Sequence, residues 1–302
     1  MSLVALIFAL LCERGLTQLF RLRELRWLDP LFDRADRALG GRTGFPAVVT
    51  ALALLAVAVV PVAAISQWLG PQLLGLLHFA FAVVVLLFSF GPRDLKEEVD
   101  DYVLALERHD RDEAMRRAKE LLESSPLSRG AGTREAVEEA IFVQANNRIY
   151  GVIFWFMVLG PAGAWVYRVS DLLRRRAAFE AARQGVPRVR GDLGSVLTDL
   201  HGVLAWIPAR LAALSYALAG SFEDAVGNWK VAVDSAGVGL LDRAEGLLAR
   251  VGKSSLQPSL AEIEPETLDV ATATGAWRVV SRALWIWLSV IAVLVLAGLD
   301  VR

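Results

Sequence analysis

The run from Ala47 to Ile65 carries no charged residue and is long enough to cross a bilayer as a helix. A soluble fold has no way to cover such a stretch on its surface. A second run, Leu73 to Phe90, follows after a short turn that holds Trp68 at interface level. Pro61 inside the first run is tolerated, because neighbouring membrane helices can satisfy the backbone groups it frees. Two spans joined by a short turn return the chain to the side it left, so residues 13–46 and 91–148 share a side. Both stretches are rich in Lys and Arg, and the positive-inside rule assigns them to the cytoplasm.

Composition agrees with a membrane chain. It is 55% hydrophobic with a mean hydropathy of +0.45, yet 22% of residues are charged, so soluble segments must flank the membrane part. The net charge of −1 supplies no global field for a nucleic-acid partner. The single Cys12 excludes an internal disulfide, and three scattered histidines (His78, His109, His201) argue against zinc.

Other segments are less uniform. Met1 to Cys12 is a short apolar run without a basic start or a cleavage site; it is expected to be retained, lying in the interface or against the bundle. "RLRELRWLDPLFDRADRALGGR" reads as a basic amphipathic helix broken at Asp29-Pro30, suited equally to an anionic membrane surface and to packing on the protein's own soluble part. From Arg93 the apolar residues recur at helical period, and Asp110, three residues before Glu113, starts the second helix of a hairpin. "SPLSRGAGT" reads as a loop, with Thr133 as the next N-cap. Leu193 to Ala219 contains Asp199, His201 and Arg210, which suit a helix buried in the bundle or half-submerged beside it. Residues 221–276 read as soluble and helical, and Leu284 to Leu299 as the last span, with Trp285 and Trp287 at its entrance.

The stretch from Glu138 to Arg176, "EEAIFVQANNRIYGVIFWFMVLGPAGAWVYRVSDLLRRR", opens polar, turns apolar without a linker and leaves through three arginines. A plain crossing would put Arg174, Arg175 and Arg176 outside, against the positive-inside rule. A bend at Gly160-Pro161-Ala162-Gly163 that returns the chain resolves the conflict. Irregular backbone at membrane depth must be buried in protein or line a cavity, so polar residues would line a site at the cytoplasmic membrane face. The constellation is Glu139, Asn147, Arg148, Arg168, Asp171 and Arg210, with Asn146 two turns beyond Glu139 on one helix face. Carboxylates there suit a metal–phosphate or an amine, and arginines clamp phosphate or carboxylate groups. A buried salt-bridge network that fixes the bend is the structural alternative. No catalytic residue and no metal ligand is assigned. "GLLARVGKSS" misses the phosphate-loop pattern, since Gly246 is one residue too far from Gly252-Lys253-Ser254; Gly252 reads as a helix C-cap.

"ER" at 13–14, "GRTG", the "EEAIF…NNR…GVIFWF…GPAGAWVYR" block, "WIPARLAALSYALAGSFEDAVGNW" and the final hydrophobic helix, in this order, resemble the AmpE family of inner-membrane proteins associated with β-lactamase regulation. The resemblance covers nearly the whole chain. More distantly, the same blocks look like the CobD/CbiB adenosylcobinamide-phosphate synthases. By that likeness Glu139 and Asn147 fall near the synthases' polar stretch. Gly160, Pro161, Gly163, Ala164, Tyr167 and Arg168 match their core, and Pro208, Ala209, Arg210 and Leu211 their "IPARL". The synthases' "RHPV" is absent where this chain has "RWLDP", and their "NTLDSM" is reduced to Val169-Ser170-Asp171-Leu172-Leu173.

The sequence therefore predicts an all-α polytopic membrane protein, a transmembrane helix bundle with a re-entrant segment and helical cytoplasmic parts. Residues 1–46 form the apolar run and basic interfacial helices, 47–90 a transmembrane hairpin and 91–148 a cytoplasmic helical region. Residues 149–220 form the re-entrant and bundle helices with the pocket, 221–283 a second cytoplasmic region and 284–302 the last span. The resemblance implies a multi-pass protein of the bacterial inner membrane that regulates β-lactamase induction and leans away from catalysis. The alternative is an amide-forming ligase or transferase related to the synthases. The partners expected are the lipid bilayer, a small anionic ligand and, as an assembly state, a homodimer, with no nucleic acid. The sequence names no cofactor; a nucleotide or magnesium would suit the pocket.

Overall fold

A computed structural model describes residues 5–6, 9, 28–69, 75–90, 94–122, 133–185, 190–233, 239–260, 263–264 and 267–297. Most of the Met1–Cys12 run, the "RLRELRW" half of the basic segment and the loop before Thr133 lie outside them. Among the described residues there is no strand. The helices are α1 (Leu28–Leu39), α2 (Phe45–Trp68), α3 (Gly75–Phe90), α4 (Leu95–Glu107), α5 (Arg111–Leu122) and α6 (Thr133–Ala145). A π-helical turn (Asn146–Tyr150) follows, then α7 (Gly151–Gln184), α8 (Leu193–Ala219), α9 (Phe222–Val233), α10 (Leu240–Leu260) and α11 (Leu268–Leu296). Among the described residues five helical runs are long and apolar enough to cross a membrane: Phe45–Trp68, Gly75–Glu107, Thr133–Gln184, Leu193–Ala219 and Leu268–Leu296. The chain is a polytopic, all-α membrane protein.

Contacts divide the chain into two units. The first comprises residues 1–92 and 151–205, the second 93–150 and 206–300. In the first unit, α1 is strongly amphipathic. Asp29 and Pro30 lie in the first described turn of this helix; the residues before Leu28, on which the expected break also depends, lie outside the described ones. Its Leu28, Phe32 and Leu39 pack into a core with Ala47, Ala51, Leu54 and Ala58 of α2, Trp165, Val169 and Leu173 of α7, and Leu193 and Leu197 of α8. The described half of the basic segment is thus seated on the protein's own helices. Alanines at that seam let α2 come close. Its other faces carry exposed Val48, Val49, Leu52, Val57 and Val60, apolar side chains that only lipid would cover.

The predicted bend is present in α7. Gly160 has φ 67° and ψ −154°, a region essentially reserved for glycine, and Pro161 follows it. In a straight helix Gly151 and Tyr167 would lie about 24 Å apart. Here a Cβ on Gly151 would overlap the Tyr167 ring, and one on Gly163 would overlap the Trp155 carbonyl. The chain therefore doubles back. The apolar arms, Gly151 to Leu159 and Pro161 to Tyr167, form a helical hairpin, each arm being far short of the ~20 residues a crossing requires. Trp155 Nε1 donates to the Leu204 carbonyl of α8 at 2.9 Å, and Trp165 Nε1 to the Ala58 carbonyl of α2 at 2.9 Å.

In the second unit Asp94 caps α4, accepting from the Lys96 N–H at 3.0 Å, and Asp110 caps α5 through the Glu113 N–H at 3.0 Å, as its spacing predicts. Its core is aromatic. Tyr216 packs on Phe142 and Tyr150, and Tyr150 on Trp287, with ring centroids 5.0–5.7 Å apart. One expectation is corrected here. Gly252 is no C-cap: α10 runs through it, and the glycine is needed because any Cβ would meet the Phe142 ring. The last helix, Leu268–Leu296, carries the apolar run that starts at Leu284 on a longer continuous helix, with exposed Arg278 and Arg282 before it.

Candidate functional site

Asp171 is completely buried in the first unit. Helical spacing surrounds it with guanidiniums. Arg168, one turn before, donates from Nη1 to Oδ2 at 3.3 Å; Arg174, one turn after, donates from Nε to Oδ1 at 2.9 Å; Arg175 Nε stands 2.8 Å from Oδ2. A buried carboxylate is tolerated only with such partners. Beside them Ser170 Oγ donates to the Tyr167 carbonyl at 2.8 Å and lies 2.9 Å from Nδ1 of buried His201, whose Nε2 is 3.9 Å from Asp171 Oδ1. The third arginine of the run has a separate task. Arg176 holds Asp33 of α1 through Nε and Nη2 at 2.9–3.2 Å and also pairs with Glu180 at 2.8 Å. A cavity of about 230 Å³ opens between α1 and α7, lined by Leu28, Asp29, Leu172, Arg175, Arg176 and Phe179. Nearby, burial together with Asp192, Asp33 and Glu180 raises the pKa of Asp36.

The second unit holds a different cluster, built on the π-helical turn. The wider turn lets four of its five residues, Asn146, Asn147, Arg148 and Tyr150, point inward together. Arg148 donates from Nε to Gln144 at 3.1 Å and from Nη1 to Glu98 at 2.9 Å. Asn147 donates to Glu245 at 3.4 Å and accepts from Asn146 at 3.4 Å. On the preceding helix Glu138 is buried, at 4% exposure, whereas Glu139 is half-buried. Glu135, one turn earlier, pairs with Lys253 at 3.6 Å.

Of the residues singled out in the sequence, Arg168 and Asp171 meet directly. Asn147 and Arg148 are neighbours within one polar cluster. Glu139 stands on the helix leading to it. Arg210 keeps other company: it lies over the Trp206 ring at 3.9 Å and donates to the Trp206 carbonyl at 2.9 Å. The sequence reading missed His201 and Ser170 around Asp171, and Glu98, Glu138 and Glu245 around the π turn. Only Ser170 carried a local signal, as the neighbour of Asp171. Among the described residues no three His, Cys, Asp or Glu side chains converge as metal ligands.

These features define a polytopic helical membrane protein with a hairpin bent at Gly160 and charged groups enclosed within its units. The chain belongs to the family described as "Regulatory signalling modulator protein AmpE", whose model matches residues 1–300. It is also similar to two curated proteins named "Cobalamin biosynthesis protein CobD". It is 28% identical to that of Stutzerimonas stutzeri over 229 residues, 75% of this chain and 73% of that protein. It is 27% identical to that of Chromobacterium violaceum over 286 residues, 87% and 88% of the two chains. No solved structure matches it.

Proposed function

We propose that this chain is a regulatory protein of the bacterial inner membrane that couples a small anionic ligand to β-lactamase induction. Support comes from the family match over residues 1–300 and from the state of Asp171. The second observation carries the reading. Asp171 is fully enclosed by three guanidiniums, an arrangement fit to hold or release an ion pair and poorly placed to turn over a substrate. A ligand phosphate or carboxylate reaching Arg175 from the adjoining cavity would compete with Asp171 for it, and relay binding to Arg168, Arg174 and His201. The π-turn cluster with Asn147 and Arg148, and Glu139 before it, is the second candidate place for a ligand group. The test is a deletion strain restored with the wild type or with Arg175→Gln, challenged with a β-lactam. The wild type should restore β-lactamase induction, and the variant should be made and inserted yet fail to do so. Induction unchanged by the deletion would overturn the reading.

The CobD relatives favour a second reading, a membrane-bound ligase or transferase on another substrate. In it Glu139, in the second unit, would meet an amine or a magnesium ion. Purified protein given ATP, magnesium, a carboxylic acid and an amine would then join acid and amine as an amide with release of phosphate or pyrophosphate; without turnover this reading fails.

A further inference from the structure

We propose that Arg210 and Trp206 form a binding site for the phosphodiester headgroup of a membrane lipid. This holds whether or not the chain regulates β-lactamase. The helix that carries them, α8, changes character along its length. Its first turns bear Ser195, Thr198 and exposed Asp199; from Val203 on the exposed large side chains are Val203, Trp206, Ile207, Leu211, Leu214 and Leu218, with no charge but Arg210 until Glu223. Trp206 and Arg210 lie in the first turns of this apolar stripe, from which an amphipathic ring and a snorkelling cation can reach headgroup level.

The guanidinium lies over the indole at 3.9 Å and spends Nη1 on the Trp206 carbonyl. Its remaining N–H groups are left for an anion, and a guanidinium fork matches two oxygens of a phosphate. Among the described residues no carboxylate pairs with Arg210, and its interactions are confined to Trp206. A cation on an apolar membrane-facing stripe requires an anion, and the phosphate of a surrounding lipid is the one always within reach.

The purified full-length protein in detergent is titrated with phosphatidylglycerol, and native mass spectrometry reads the apparent affinity for the first bound lipid. Arg210→Gln should weaken it about fivefold or more, the worth of one charge-assisted hydrogen bond, and Arg210→Lys should recover part of the loss. The melting temperature of the lipid-free variant should match the wild type. Should Arg210→Gln fail to fold, Trp206→Leu, which keeps the cation and removes its stacking, should show an intermediate loss. Wild-type affinity in a folded Arg210→Gln, or in Trp206→Leu, overturns the site. Inorganic phosphate displacing the lipid at equal concentration would assign the site to a soluble anion instead. A loss of self-association without a loss of lipid would assign the stripe to a second copy of the chain; either result rejects the proposal.

Discussion

The Asp171 network and the Asn147–Arg148 cluster are both buried and polar, yet they are assembled by opposite routes. Asp171 draws its three arginines from its own helix, at i−3, i+3 and i+4, and takes only His201 from elsewhere. Arg148 and Asn147 reach Glu98 and Glu245, residues 50 and 98 positions away. The first network can form as soon as its helix does. The second exists only once α4, α10 and the π turn have come together, so its hydrogen bonds report tertiary assembly. A regulatory ligand that exchanges partners with Asp171 need not disturb the packing of α7, whereas a change at Arg148 strains every helix it joins.

The comparison can be broken at several points. The largest effect should come from Asp171→Ala, which leaves three guanidiniums crowded in a closed site; a loss of about 3–5 kcal/mol is expected in detergent unfolding. Adding Arg175→Met should restore part of that loss, and additive losses would show that the pair is not coupled. Next, Arg148→Met should cost about 2–3 kcal/mol, since it removes charge-assisted bonds to Glu98 and Gln144. If the cluster depends on assembly, Glu98→Gln in the same background should add little.

Gly160→Ala tests the hairpin on which the local network stands. The backbone there is in glycine territory, so about 1–3 kcal/mol should be lost, while Gly185→Ala, at a helix end with open space around it, should cost less. The smallest effect is a pH dependence. Because the pKa of Asp36 is raised in the fold, its contribution is fully present below its ordinary unfolded value and is lost as pH rises through the folded one. Asp36→Asn should therefore flatten the acid side of the stability profile and leave neutral protein no less stable. An unchanged profile would remove Asp36 from the acidic group.

What could be read in the sequence follows the same division. Uncharged length disclosed the runs within Phe45–Trp68, Gly75–Phe90 and Leu268–Leu296, Asp110 its cap and Gly160-Pro161 the reversal, because each depends on neighbours a few residues away. Arg168 and Asp171 were legible as one helical turn. Glu139 was taken in preference to Glu138 on the assumption of regular α periodicity, and only the fold says which of two adjacent glutamates is enclosed. Glu98, Glu245 and His201 carried no sign of their partners, since nothing local distinguishes a carboxylate that will meet Asn147 from one that faces water. Arg210 was legible as a cation out of place, but not the direction it faces.

The two indoles that anchor the hairpin bond to main-chain carbonyls, Trp155 to Leu204 and Trp165 to Ala58. Two tyrosines of the second unit's core do the same, Tyr150 on the Val280 carbonyl at 2.6 Å and Tyr216 on that of Phe142 at 2.9 Å, whereas Trp287 donates to the Ser215 hydroxyl at 2.8 Å. Every residue offers a main-chain carbonyl. Substitution at Ala58, Leu204 or Val280 therefore leaves the bond intact so long as the helix fits, while the donor is irreplaceable except by another ring with a polar hydrogen. A substitution at an acceptor position leaves the anchor available, whereas one at the ring removes it.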